Sequence, residues 1–181
     1  MKDIQISKVL AHALRHDPKL YGLSPDEEGW VELEDILAAL RRKGRRWETL
    51  EIEDIKRVTK NNDKKRYEIA GKRIRAFYGH SLERKIIKQA AEPPDILYHG
   101  TSPNFIENIR RKGLLPMKRQ YAHLSVDRQT AKQVGGRRSA EPVILIIDAK
   151  RAFLSGIVFY KGNDLIWLAD GIPPEYIDCG E

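Results

Sequence analysis

A single cysteine, Cys179, stands in a chain of 181 residues. That excludes a disulfide within the chain and, in practice, a metal site built on cysteine. Such usage fits a reducing compartment, so a cytoplasmic location is expected. Long apolar runs are also missing. The longest strongly apolar stretch, VILII at 143–147, is far shorter than the ~20 residues a membrane helix needs. The first ten residues, MKDIQISKVL, hold no continuous apolar segment, so neither a signal peptide nor a membrane partner is expected. There is no G-x-G-x-x-G and no G-x-x-x-x-G-K-[ST], which closes the usual sequence routes to a Rossmann or P-loop nucleotide site. There is no H-E-x-x-H either, so zinc is not expected.

Charge, by contrast, is plentiful. Charged residues make up 33% of the chain and hydrophobic ones 41%, a folded composition with a heavily charged surface. The net charge of +7 favours anionic partners, nucleic acid first, with solubility alone as the plainer reading. The excess is uneven. Residues 1–92 hold 21 basic against 16 acidic side chains, and residues 93–181 hold 12 against 10.

Ile6, Val9, Leu10, Ala13 and Leu14 repeat with helical spacing. Pro18 disfavours a helical Asp17, so this helix should stop near His16. Leu33, Ile36, Leu37 and Leu40 mark a second helix that runs into RRKG, with Gly44 as its stop. A third helix, with Ile52, Ile55 and Val58, should start near Thr49. The spacing then changes to two in RYEIAGKRIRAFYG, which predicts a hairpin around AGK. Three helices and a hairpin suggest a winged-helix-like lobe over 1–92. Pro93-Pro94 disfavours helix and strand alike and marks the boundary. Beyond it come predicted strands at ILYHGT, AHLS, VILIIDA, IVFY and LIWLAD, with helices around Ile106–Ile109 and from Asp127 to Gly135. The class is α+β.

Two histidines sit on predicted strands beside hydroxyl residues. His99 lies in LYHGTSPN, followed by Gly100 and Thr101; His123 lies in AHLS, with Ser125 on the same strand face. Small neighbours let a sugar or phosphate approach the backbone closely, although a lone strand histidine is often a core residue. Arg15, Arg66 and Arg119 stand at the ends of predicted elements, where a guanidinium can grip phosphate oxygens with two donors. In LAHALRHDP, Arg15 and His16 close a helix. Cations there complement the helix dipole, and the same pair suits a phosphate dianion. RRKGRR at 41–46 reads as a helix cap and solvated loop, with phosphate-backbone contact as the functional alternative.

At these residues the sequence resembles the NAD-dependent RNA 2′-phosphotransferases. The resemblance is carried in order by SKVLAHALRHDP, EEGWVELEDIL, RYEI with IRAFYGHS, LYHGTS, GLLPMKRQYAHLS and WLADGIPPEYI. Ala122 and Tyr121 depart from the family pattern without removing an assigned functional group. The resemblance implies a winged-helix RNA-binding lobe at 1–92 and an ADP-ribosyltransferase-like lobe at 93–181. It implies Arg15, His16, Arg66 and Arg119 as the catalytic set, and His99, Gly100, Thr101, His123 and Ser125 as cofactor-binding, with Ile172 a candidate for a third, apolar motif. NAD+ would be a co-substrate, with no metal. The reaction would remove an RNA 2′-phosphate through an ADP-ribosylated 2′-phospho-RNA, yielding nicotinamide, 2′-OH RNA and ADP-ribose 1″,2″-cyclic phosphate. Two rivals remain: an ADP-ribosyltransferase acting on nucleic-acid ends, and a non-catalytic winged-helix binder. Nothing in the sequence demands more than a monomer.

Overall fold

The computed structural model describes residues 3–61, 65–137 and 139–180. The chain divides into two units, one running to Ile87 and the other from Lys88 onward. The division falls slightly ahead of the double proline. Residues before Pro93 already belong to the second unit, because the Ala91 amide donates to the Phe159 carbonyl and Ala90 bridges Tyr160.

In the first unit, α1 (Asp3–Arg15) buries Ile6, Leu10, Ala13 and Leu14 along one stripe. It ends as expected before Asp17-Pro18, and the Asp17 carboxylate accepts from the Leu20 amide to close the turn. Strand β1 (Val31–Glu32) leads into α2 (Leu33–Arg41), and the chain leaves α2 through Gly44, whose φ is +123°. Helix α3 (Ile52–Lys60) starts later than Thr49 because a capping box sets its first turn. Glu51 and Asp54 each accept from the other's backbone amide, satisfying donors that a helix start leaves open. The hairpin is β2 (Tyr67–Ala70) and β3 (Arg73–Ala76), paired Tyr67↔Ala76 and Ile69↔Ile74 around Gly71. Strand β1, not foreseen, adds to β3 through Val31↔Ile74 and gives the sheet order β1-β3-β2. Ile6, Leu14, Ile36, Trp47, Ile55 and Ile74 form the core of this unit.

The second unit is a six-stranded antiparallel sheet with short helices. Its elements are β4 (Ile96–Thr101), α4 (Ile106–Lys112), β5 (Ala122–Ser125), α5 (Arg128–Gly135), β6 (Val143–Asp148), α6 (Ala149–Leu154), β7 (Phe159–Lys161), β8 (Ile166–Ala169) and β9 (Ile177–Asp178). The order is β7-β8-β5-β4-β6-β9. Asp127 caps α5 by accepting from the Thr130 amide at 2.7 Å. Asp148 caps α6, a helix that the sequence pattern hides because its six residues are too few to show a period. Leu97, Leu124, Leu145, Ile147 and Phe159 make this unit's core. The mixed content is α+β, as expected. Among the described residues no helix is long and apolar enough to cross a membrane.

Candidate functional site: an arginine–histidine cluster and a lined cavity

Arg15 meets Arg66 in the first unit, and His16 follows Arg15 at the end of α1. The α1 axis delivers Arg15 to its last turn, and the Arg15 carbonyl accepts from the Ser81 amide at 2.9 Å. Its guanidinium then folds over two rings, with its carbon 5.5 Å from the centre of Tyr67 and 5.4 Å from that of Tyr78. Nη2 donates to the Arg66 carbonyl at 3.1 Å. A Cβ at Gly79 would lie 3.3 Å from Arg15 Nη1, and Gly79 has a φ of +88°. Both the space and the backbone conformation call for glycine there. His16 Nδ1 pairs with Ser81 Oγ at 2.9 Å. Arg66 reaches the Ser7 hydroxyl at 3.5 Å, while the Tyr67 hydroxyl donates to the Ser7 carbonyl at 2.7 Å. Burial pushes the Tyr67 hydroxyl upward, against the pull of the Arg15 and Arg66 charges. Tyr67 therefore stays a neutral donor that holds the hairpin on α1.

Ser7, Tyr67, Tyr78 and Ser81 were not singled out from the sequence. Tyr67 directly follows Arg66, but nothing in the pattern separates Ser7 from any polar helix residue.

His99, Gly100, Thr101, Arg119 and His123 line one cavity of about 450 Å³ in the second unit. Its size lies in the range of small-molecule sites. Ser125 is not among the lining residues; it is 4% exposed and pairs with Tyr98 across β4 and β5. Ile172 is a core residue whose backbone bridges Leu114. Strand β4 pairs with β6 along its whole length, from Ile96↔Asp148 to Thr101↔Val143, but among the described residues it pairs with β5 only at Tyr98↔Ser125. Beyond that pair a side chain takes over, and His99 Nδ1 lies 2.7 Å from the His123 carbonyl. A carbonyl only accepts, so Nδ1 carries the proton and the neutral ring has its acceptor at Nε2.

Gly100 lets α5 lie directly on β4. A Cβ at Gly100 would fall 2.0 Å from the Ala131 carbonyl oxygen, and Gly135 approaches from the same helix. The cavity lining adds Lys118 and Arg137 as cations and Leu115 and Met117 as apolar contacts. Arg119 sits at the end of a turn in which its amide donates to the Pro116 carbonyl, and Met117 takes a φ of +58°.

Tyr121 lines the same cavity and packs edge-on against Tyr160, ring centres 5.1 Å apart. Burial, with Tyr160 and Asp170 nearby, pushes its hydroxyl up to about 12. Between pH 10 and 12 the folded chain therefore keeps a proton that the unfolded chain has lost, and folding stability falls as pH rises through this window. Melting temperatures measured from pH 8 to 12 are expected to drop above pH 10, and to drop less steeply in Tyr121→Phe.

The first unit thus places two arginines and a histidine near the end of α1, and the second holds a cavity lined by cations, hydroxyl and apolar groups, side chains of the kind that can grip phosphate and sugar oxygens. The chain belongs to the RNA 2′-phosphotransferase, Tpt1/KptA family, whose model matches residues 1–171. It is 49% identical over 173 residues to a protein of Acetivibrio thermocellus, covering 96% of this chain and 94% of that one. It is 46% identical over 172 residues to one of Bacillus thuringiensis subsp. konkukian, covering 95% and 92%. A Streptomyces coelicolor protein matches at 41% over 176 residues, covering 97% and 94%. Each of the three is named "Probable RNA 2′-phosphotransferase".

Proposed function

We propose that this protein removes a 2′-phosphate from RNA by transferring it to NAD+, with the first unit acting as a winged-helix-like RNA-binding lobe and the second as an ADP-ribosyltransferase-like lobe. The observation that carries the reading is the cavity that His99, Thr101, Arg119 and His123 line together. Its donors suit a dinucleotide: cations for a pyrophosphate, a hydroxyl and an imidazole for ribose, and apolar walls for a ring.

The RNA 2′-phosphate displaces nicotinamide from its ribose; attack by that ribose's 2″-hydroxyl on phosphorus then expels the RNA 2′-oxygen, which gains a proton, and leaves ADP-ribose 1″,2″-cyclic phosphate. The first step is chiefly a matter of positioning. Arg15, His16 and Arg66 supply the grip on the dianion, and the Tyr67 and Tyr78 rings orient the Arg15 guanidinium beforehand. The second step builds charge on the non-bridging oxygens, which a fixed guanidinium stabilises without a metal ion. Arg119 has that role. His99 and Thr101 hold ribose, and Ser125 supports β5 from its buried side.

Incubating the protein with 2′-phosphorylated RNA and NAD+, then identifying products by mass spectrometry, tests the reading. Products that retain ADP-ribose would favour an ADP-ribosyltransferase acting on nucleic-acid ends. No product, and no thermal shift with NAD+, would favour a non-catalytic binder. Arg119→Ala is expected to slow the second step by about 10²–10³-fold, so that ADP-ribosylated 2′-phospho-RNA accumulates. Equal loss of both steps, with no intermediate, would overturn that division of labour.

A further inference from the structure

The phosphate chemistry leaves unused a dense group of cations around the end of α2. Arg41, Arg42, Lys43, Arg45 and Arg46 fall within six positions, and Lys19 lies in the turn that contributes Tyr21. All six side chains are exposed. Among the described residues none of them forms an ion pair with a carboxylate, and none shares a hydrogen bond or ring contact with Arg15, His16 or Arg66.

What holds them is neutral. Arg41 Nε donates to the Leu50 carbonyl at 2.9 Å, and Arg42 to the Tyr21 carbonyl at 3.4 Å. The Lys43 ammonium stands 4.7 Å from the centre of the Tyr21 ring, and the Arg46 guanidinium 5.4 Å from that of Trp47. Carbonyls and rings fix the direction of a cation without cancelling its charge. Leu20, Gly22, Ala39, Arg42 and Lys43 also surround a shallow hollow of about 290 Å³, with no carboxylate in its wall.

The contrast with α3 is informative. In a helix–turn–helix reader the helix after the turn meets the nucleic acid. Here two of its three cations are already paired, Lys56 with Glu53 at 2.8 Å, and Arg57 with Asp54 at 2.7 Å and Asp3 at 3.2 Å. The denser unneutralised charge is in the loop before it. Like charges packed this closely repel one another until an anion arrives, and a polyanion with regularly spaced phosphates offers the most relief.

We propose that the loop 41–46 is a sequence-independent docking site for the sugar-phosphate backbone of RNA, separate from the cluster that receives the reacting 2′-phosphate. This rests on RNA being the substrate, but not on the transfer chemistry. The test is fluorescence anisotropy with a labelled 20-nucleotide RNA that carries no 2′-phosphate, without NAD+, over 50–200 mM KCl. Lys43→Gln/Arg45→Gln/Arg46→Gln is expected to bind about 10-fold more weakly at the low end of that range, with the slope of log affinity against log salt smaller by about 2. Arg45→Lys/Arg46→Lys, which keeps the charge, is expected to bind within about twofold of the parent. The melting temperature of each variant shows that it is folded. Unchanged affinity and slope in a folded triple glutamine variant overturn the docking site, whatever the activity. Weakened binding in a protein that transfers no phosphate sinks the proposed reaction and leaves the docking site standing.

Discussion

Arg15→Ala is expected to lower kcat/KM for 2′-phosphorylated RNA by about 10³-fold or more, the scale of losing a fixed cation from a transferring phosphoryl group. Three features constrain this side chain. The guanidinium stands over the rings of Tyr67 and Tyr78, it donates to the Arg66 carbonyl, and Gly79 leaves room for it. Its orientation is therefore set before any ligand arrives. Lysine should not restore the activity, because an ammonium cannot reproduce a planar fork of donors. A purely structural role would make lysine and alanine differ in melting temperature rather than in turnover. Competition between RNAs with and without a 2′-phosphate gives the decisive readout. The parent should prefer the phosphorylated RNA and Arg15→Ala should not, and a variant that keeps its preference would remove Arg15 from the phosphate grip.

Gly100→Ala is expected to cost a large share of the second unit's stability. The new methyl would sit 2.0 Å from a backbone oxygen of α5, a clash that no rotamer can relieve. Overpacking of this kind costs about 3 kcal/mol, and in a unit of this size that lowers the melting temperature by roughly 10–20 °C. Calorimetry of the variant beside the parent measures the loss. A melting profile equal to the parent's would mean that α5 can lift from β4 at little cost.

Most elements were legible because their signals are local. The α1 stripe, the β2–β3 alternation around Gly71, the Asp127 cap and the strands at ILYHGT and AHLS all follow from spacing and turn chemistry. What escaped is either too short or too distant. Strand β1 is two residues long and exists because Val31 finds Ile74. The start of α3 depended on a reciprocal pair of side-chain bonds, Glu51 with Asp54, that competes with the earlier Thr49. At the candidate sites, residue types were readable but supports were not. Arg15 and Arg66 stand out in the sequence, whereas the Tyr78 ring and the Ser7 hydroxyl become relevant only when the chain returns from more than fifty residues away. Ser125 shows the converse. Its strand was placed correctly, and its pairing with Tyr98 puts it outside the cavity wall.

The second unit's sheet is less continuous than its six strands imply. Among the described residues a single backbone pair joins β4 and β5, so the sheet reads as two three-stranded ribbons, β7-β8-β5 and β4-β6-β9, joined at Tyr98↔Ser125 and by the bond from the His99 imidazole to the His123 carbonyl. Cooperative opening is cheapest along such a seam, where few bonds must break together. Cavity residues His99, Thr101 and His123 come from both ribbons, so a ligand held by them acts as an additional cross-tie. Occupancy and sheet integrity are then one equilibrium seen from two sides.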